Sequence, residues 1–329
     1  MKGTQVRIDQ GELDAILRHA FGERRGIAVT QLGGGQINDT RLLAWPDGTR
    51  CILRVAPSDA TAAAGPSWFT AFGLRREEAV IAAAHELAGF LPVTTAHDFE
   101  RAVIDRDWVI QDVMPGVPLS EVDRRLDPDA RADVWAQVGL FTRRLHDVRG
   151  SRFGFPACGP RFDRWSELVA WDAAGLAHDA GRFGLPVDPF ARLVRQAGRI
   201  PALLDTDVVP SLIHSDLWMP HIFVARDANG GHRLSGVIDL EFARFADSLA
   251  EHLPPSFDWG NVPGDMRSAF TAGYGPLTSR LGDGIRTRVY VAVGLGWAAT
   301  LKAFQGQPYA NILVDFERVV LEIERQESG

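Results

Sequence analysis

The spacing of apolar and polar residues changes period several times along this chain, and each change marks an element. Over residues 8–21, Leu13, Ile16, Leu17 and Phe21 recur at helical intervals, which predicts a helix with one buried face. Short apolar runs follow at 29–32, 41–45 and 51–55, separated by a glycine-rich stretch and a Pro-Asp-Gly turn at 46–48. That pattern predicts strand, loop, strand, turn, strand. Residues 57–73, rich in Ala, Gly, Pro and Ser, predict a mobile insertion before a helix over 74–87. Runs at 91–93, 102–104 and 108–110 are expected to complete the first sheet.

Beyond Pro115-Gly116 the helical period takes over. Asp127-Pro128 supplies a cap and a first-turn proline for a helix reaching His146, with Val134, Val138, Phe141 and Leu145 on one side. Residues 161–205 predict helices broken at Gly175, at Gly184 and at Pro189. Two strands, 222–224 and 234–239, flank a turn at Asn229-Gly230-Gly231, and helix resumes after Leu253. The expectation is an α/β (α+β) protein of two lobes, residues 1–111 rich in strands and 112–329 mostly helical.

Composition narrows the function classes. A net charge of −7 argues against a nucleic-acid partner, whose binders are more often basic. The longest apolar run, 289–301, is too short to cross a bilayer and predicts a buried helix. Cys51 and Cys158 make no disulfide framework, and residues 1–10 lack the apolar core of a signal peptide. A cytoplasmic protein without a membrane partner is expected, as monomer or dimer.

The chemistry concentrates in His214-Ser215-Asp216-Leu217 and in Ile238-Asp239-Leu240-Glu241. These read as carboxylates on two short loops joined by one hairpin. Phosphoryl transfer needs such a pair, one Asp to orient a hydroxyl and take its proton, the other to hold the metal that neutralises phosphate charge. His221 stands five beyond Asp216, where kinase catalytic loops carry a metal-binding side chain. Upstream, the Gly33-Gly34-Gly35 stretch leading to Asn38 would let backbone N–H groups approach phosphates.

Taken in order, these pieces resemble the aminoglycoside phosphotransferase family, small-molecule kinases of protein-kinase-like fold, with similarity to its 2″-, macrolide and hygromycin branches. The resemblance implies Asp216 as catalytic base and Asp239 as Mg²⁺ ligand. It puts His221 at the place usually held by a metal-binding Asn. It implies Gly34, Gly35 and Asn38 over the nucleotide, Arg54 on its phosphates, and Glu77 or Glu78 as the partner of Arg54. Backbone groups of Asp112 and Val113 would meet the base, and Asp247 would brace the catalytic loop. Trp218, Glu251 and Asp258 would face the acceptor, where acidic groups suit amines, with Asp163, Trp165, Trp171 and Asp172 candidates for its wall. The donor implied is ATP or GTP and the acceptor a hydroxylated antibiotic such as an aminoglycoside, macrolide or nucleoside. A metabolic alcohol of the choline, homoserine or fructosamine type is the alternative, and a nucleotide-binding module without turnover a third reading.

Overall fold

Asp9 opens the first helix, α1 (Gln10–Phe21). Its carboxylate accepts the Glu12 N–H at 2.8 Å, and Glu12 accepts the Asp9 N–H at 2.9 Å, a reciprocal cap on two otherwise unpaired donors. The computed structural model describes residues 7–23, 26–33, 37–228, 230–252, 264–277 and 283–327. Leu13 and Ile16 of α1 pack on an antiparallel sheet of β1 (Ala28–Gln31), β2 (Asp39–Ala44), β3 (Arg50–Val55), β4 (Thr94–Asp98) and β5 (Trp108–Asp112), in the order β1-β2-β3-β5-β4. Trp108, Leu43, Leu53 and Val55 fill the space between sheet and helix.

Three expectations change in this half. Residues 102–104 form no strand, because Asp98 accepts the Val103 N–H at 2.9 Å and turns the chain away from the sheet edge. Residues 91–93 lie just before β4 and outside it. The segment 57–73 is a docked element. It forms α2 (Asp59–Ala64), and its Ser67 donates through both N–H and Oγ to Asp179, at 2.8 and 2.7 Å. Arg182 donates to the carbonyls of Ala63, Ala64 and Gly65. Helix α3 (Gly73–Ala83) follows and lies against the start of the second carboxylate loop: a Cβ on Gly73 would come within 2.4 Å of Glu241.

The rest is mostly helical. After β6 (Val117–Pro118) and α4 (Leu119–Val122), Asp127 caps α5 (Pro128–Asp147). Strands β7 (Phe153–Gly154) and β8 (Arg161–Phe162) precede α6 (Trp165–Phe183), which runs through Gly175 unbroken and ends at Gly184 in the left-handed conformation. Pro189 sits in the first turn of α7 (Val187–Arg199), where no helical N–H is required of it. Then come α8 (Pro201–Asp205), β9 (Ser211–Ile213), β10 (Ile222–Arg226), β11 (His232–Val237), β12 (Arg244–Ala246), α9 (Gly264–Tyr274), α10 (Asp283–Phe304) and α11 (Ala310–Glu327). Helices α5 and α9 approach closely through Gly139 and Gly273, where any Cβ would strike the other helix's backbone. The molecule is thus a mixed α/β fold, a β-sheet region first and a helical region after. Small sheets β11-β10-β6 and β8-β7-β12-β9 lie within the helical part and carry the loops of the site.

Candidate active site

Strand β9 delivers His214 and Asp216 to the mouth of the cleft. His214 is buried, and its ring ties two loops together: Nε2–H donates to the Ile238 carbonyl at 3.0 Å, while Nδ1 accepts the Asp216 N–H at 3.2 Å. Between them Ser215 adopts φ = 69°, a left-handed backbone unfavourable for a residue with a Cβ. Asp239, at φ = 67°, is bent in the same way on the opposing loop. The β10–β11 hairpin pairs Ile222 with Val237, and the Ile238 N–H donates to the His221 carbonyl at 3.0 Å. Local pairing therefore brings His221 beside Asp239.

Three side chains converge. Asp216, His221 and Asp239 each offer a ligand atom, all within 4.8 Å of one another. His221 Nδ1 lies 2.9 Å from the Asp216 carbonyl, which can only accept, so the ring proton sits there. Nε2 accepts the Trp218 indole N–H at 3.1 Å and lies 3.3 Å from Asp239 Oδ2. Its single lone pair would have to leave that indole N–H to hold a cation against Asp239. Carboxylate oxygens from Asp216 and Asp239 fit Mg²⁺, and the imidazole nitrogen widens the set toward softer metals.

Arg54 supplies the fixed cation. It contacts Glu77 at 2.6 Å and Asp239 at 2.9 Å. Burial would lower its pKa, but the Glu77 and Asp239 charges outweigh that and hold it raised. Glu77 also accepts the Gln111 side chain at 2.9 Å and the Leu240 N–H at 3.0 Å, joining α3, β5 and the Asp239 loop. Desolvation raises the Asp239 pKa, yet Arg54, His221 and His214 bring it below its usual value. For Asp216, desolvation and then the charges of Asp239, Glu241 and Glu251 all push upward, so its carboxyl is held well above the ordinary range.

The expected residues divide. Glu77 is the partner of Arg54. Glu78 is not: one position further round the helix, it accepts the Thr94 hydroxyl. Asn38 is buried and donates to Glu241 at 3.0 Å. The Asp112 N–H is committed to the Val93 carbonyl at 2.9 Å, so Asp112 could meet a base only through its carbonyl. Trp218 is exposed at the rim. Glu251, expected to face the acceptor, is instead fully buried behind the loop, accepting the N–H groups of His214 and Ser215. Asp247, expected to brace that loop, bonds Arg286 at 3.0 Å and Tyr290 at 2.8 Å. Of the wall candidates, Trp165 and Asp172 are buried, while Asp163 is exposed with Arg152 and Trp171 lies near Phe162. Gly34, Gly35 and Asp258 lie outside the described residues.

One member of the site was given no role from sequence. Glu241, two beyond Asp239, is turned inward by the short helical turn Leu240–Phe242 and buried beside Asp239, Arg54 and Glu77. Desolvation and the Asp239 charge push its pKa up to about 8. Carboxylates crowd the single guanidinium of Arg54. The Asp-x-Glu spacing was the available signal.

A β-sheet region with a buried Arg–Glu pair, facing a helical region with a two-carboxylate loop system, defines a small-molecule phosphotransferase. The family model described as APH, phosphotransferase enzyme family, matches residues 28–283, and the chain belongs to that family. Among solved structures it is similar to the ADP and hygromycin B complex of a thermostable aminoglycoside phosphotransferase APH(4)-Ia (TM-score 0.64, 16% identity, 97% of this chain and 99% of that one). It is also similar to the GDP and kanamycin complex of APH(2")-IIIa (0.63, 15%, 95% and 98%). A fructosamine-3-kinase candidate from Thermobifida fusca YX-ER1 is similar as well (0.60, 17%, 95% and 100%). No curated protein matches the chain significantly in sequence.

Proposed function

We propose that the protein transfers the γ-phosphate of ATP or GTP to a hydroxyl of a small molecule, with a hydroxylated antibiotic as the acceptor class. The carrying observation is the convergence of Asp216, His221 and Asp239 beside the Arg54–Glu77 pair. Asp216 positions the acceptor hydroxyl and takes its proton as the phosphoryl group departs, and its raised pKa suits a group that must hold a proton. Asp239 and His221 are the residues that would hold Mg²⁺, which when bound offsets phosphate charge. Arg54 reaches the α/β-phosphates, Gly34, Gly35 and Asn38 cover them, and backbone groups of Asp112 and Val113 meet the base. In this reading residues 1–111 serve the nucleotide and 112–329 the acceptor, and dependence on ATP or GTP fits a cytoplasmic enzyme.

The ligands of the similar structures, nucleotides with hygromycin B or kanamycin, support a nucleotide donor and a hydroxylated acceptor. Similarity of the same order to the fructosamine-3-kinase candidate supports a second reading, a metabolic alcohol as acceptor. The test is incubation with Mg²⁺, ATP or GTP and a panel of hydroxylated compounds, read by mass spectrometry for a gain of ~80 Da. Asp216→Asn is the blank and should lose at least about 10²-fold in kcat while still binding nucleotide. Equal turnover by that variant would remove Asp216 as the base.

A further inference from the structure

A small cavity of ≈ 30 Å³ lies beside the catalytic loop, bounded by Ser215, by Asp172 of α6, by Arg244 and Ala250, and by Trp297 of α10. Ser215, on its wall, is the residue before Asp216, which places the cavity next to the loop that carries that carboxylate. Its polarity is informative. Asp172 is the one carboxylate on the wall, and Arg244 occupies it, with Nη1 at 2.9 and 3.2 Å. The Arg244 guanidinium lies 4.7 Å from the Trp297 ring centroid, and the residue is 5% exposed. Its Nε–H has no partner among the described residues. A buried donor left unpaired costs stability, and an incoming oxygen would recover that cost.

A second guanidinium reinforces the sign. Arg76 of α3 is equally buried, donates to the Cys158 carbonyl, feels the Glu241 charge without forming a salt bridge among the described residues, and lies near enough to Arg244 for their charges to repel. Val169, Ile213, Ala250 and Val293 offer an ammonium group nothing to replace its water, and the Ser215 hydroxyl is a single neutral acceptor for it. The volume holds a group of two or three heavy atoms at most, on the scale of one to two waters, and excludes an aminosugar ring.

We propose that this cavity is an acceptor subsite in which Arg244 binds a carbonyl or carboxylate oxygen, so that the enzyme selects hydroxylated acceptors bearing such a group and rejects polycationic ones. This rests on the kinase reading above and adds the acceptor class to it.

Three matched probes carry the same hydroxymethyl group and differ at the far end: 4-(hydroxymethyl)benzamide, 4-(hydroxymethyl)benzoate and 4-(hydroxymethyl)benzylamine, with kanamycin as a polycation. Binding is read by tryptophan fluorescence and calorimetry on the full chain, and transfer by phosphate gain. The amide and the acid should bind at least about tenfold more tightly than the amine, the worth of one well-made hydrogen bond. Arg244→Lys should raise KM for the amide with a smaller change in kcat and leave the affinity for the amine unmoved; a structural role alone would weaken all probes together. Ala250→Leu, which narrows the cavity without touching Arg244, should weaken the amide and the acid as well. Preference for the amine or kanamycin, no preference, or no binding by any probe overturns the subsite. Phosphorylated kanamycin with no binding of the amide would keep the kinase reading and remove the subsite. Tight binding of the amide without transfer to any hydroxyl would do the reverse.

Discussion

Glu251 and Ser215, 36 positions apart, meet through the Ser215 backbone N–H at 3.2 Å, and the same carboxylate takes the N–H of His214. The loop that carries Asp216 is thereby held from behind by a buried acid of the short turn Ser248–His252. Removing that acid leaves two buried donors unpaired. Glu251→Ala should cost about 2–6 kcal/mol, at roughly 1–3 kcal/mol for each unpaired group, and should lower kcat more than it changes nucleotide affinity. Urea unfolding and steady-state kinetics measure both. An unchanged midpoint would show that the loop supports itself.

Ser215 holds a left-handed backbone at φ = 69° that costs a residue with a Cβ about 1–2 kcal/mol. Its hydroxyl has no partner among the described residues, so glycine forfeits no hydrogen bond here. Ser215→Gly should therefore be stabilising by about 1 kcal/mol after the added freedom of the unfolded chain is counted. A fall in thermal midpoint would contradict the assigned strain.

Arg54 distinguishes two adjacent glutamates. Glu77→Ala breaks a buried pair and strands part of the Arg54 charge, which should cost about 3–5 kcal/mol and raise KM for the nucleotide. Glu78→Ala removes a single contact with Thr94 and should cost about 1 kcal/mol. Equal effects in denaturant titrations would refute the pairing.

His221 should leave its mark on metal preference. An imidazole nitrogen among the ligands favours Mn²⁺ or Co²⁺ relative to Mg²⁺, and His221→Asn, which substitutes an amide oxygen, should shift the preference back toward Mg²⁺. Activity against each metal as sole cation measures it. An identical order in both proteins would assign His221 to loop structure alone.

His146 sets a pH dependence. Its ring is buried between α5 and α9, with Nδ1 2.9 Å from the Tyr274 hydroxyl, and burial lowers its pKa from 6.5 to about 3. Below pH 6.5 the unfolded chain binds a proton that the folded chain refuses. The contribution is complete above 6.5 and falls by about 1.4 kcal/mol per pH unit as pH drops toward 3. His146→Gln lacks this slope, so its stability relative to the parent should improve steadily between pH 6.5 and 5. Parallel stability curves would place a proton on His146 in the native state.

The chain's local order was sufficient for the convergence of Asp216, His221 and Asp239, because one hairpin joins them and its register follows from alternation and a glycine turn. The Asp127-Pro128 helix start was legible for the same reason, being chemistry among neighbours. Other features were decided only by packing between distant elements. The choice of Glu77 over Glu78 depends on how α3 is rotated against the sheet, and adjacent helical positions differ by about 100°. The burial of Glu241 and Glu251, the docking of segment 57–73 on α6 through Ser67 and Asp179, and the Arg244–Asp172 pair 72 positions apart join parts of the chain that no short-range period relates. Sequence by itself determined the grouping of Asp216, His221 and Asp239, since they sit on contiguous loops. Tertiary structure decided which carboxylates face the cleft and which brace it, because a side chain's surroundings are set by the faces that fold against it.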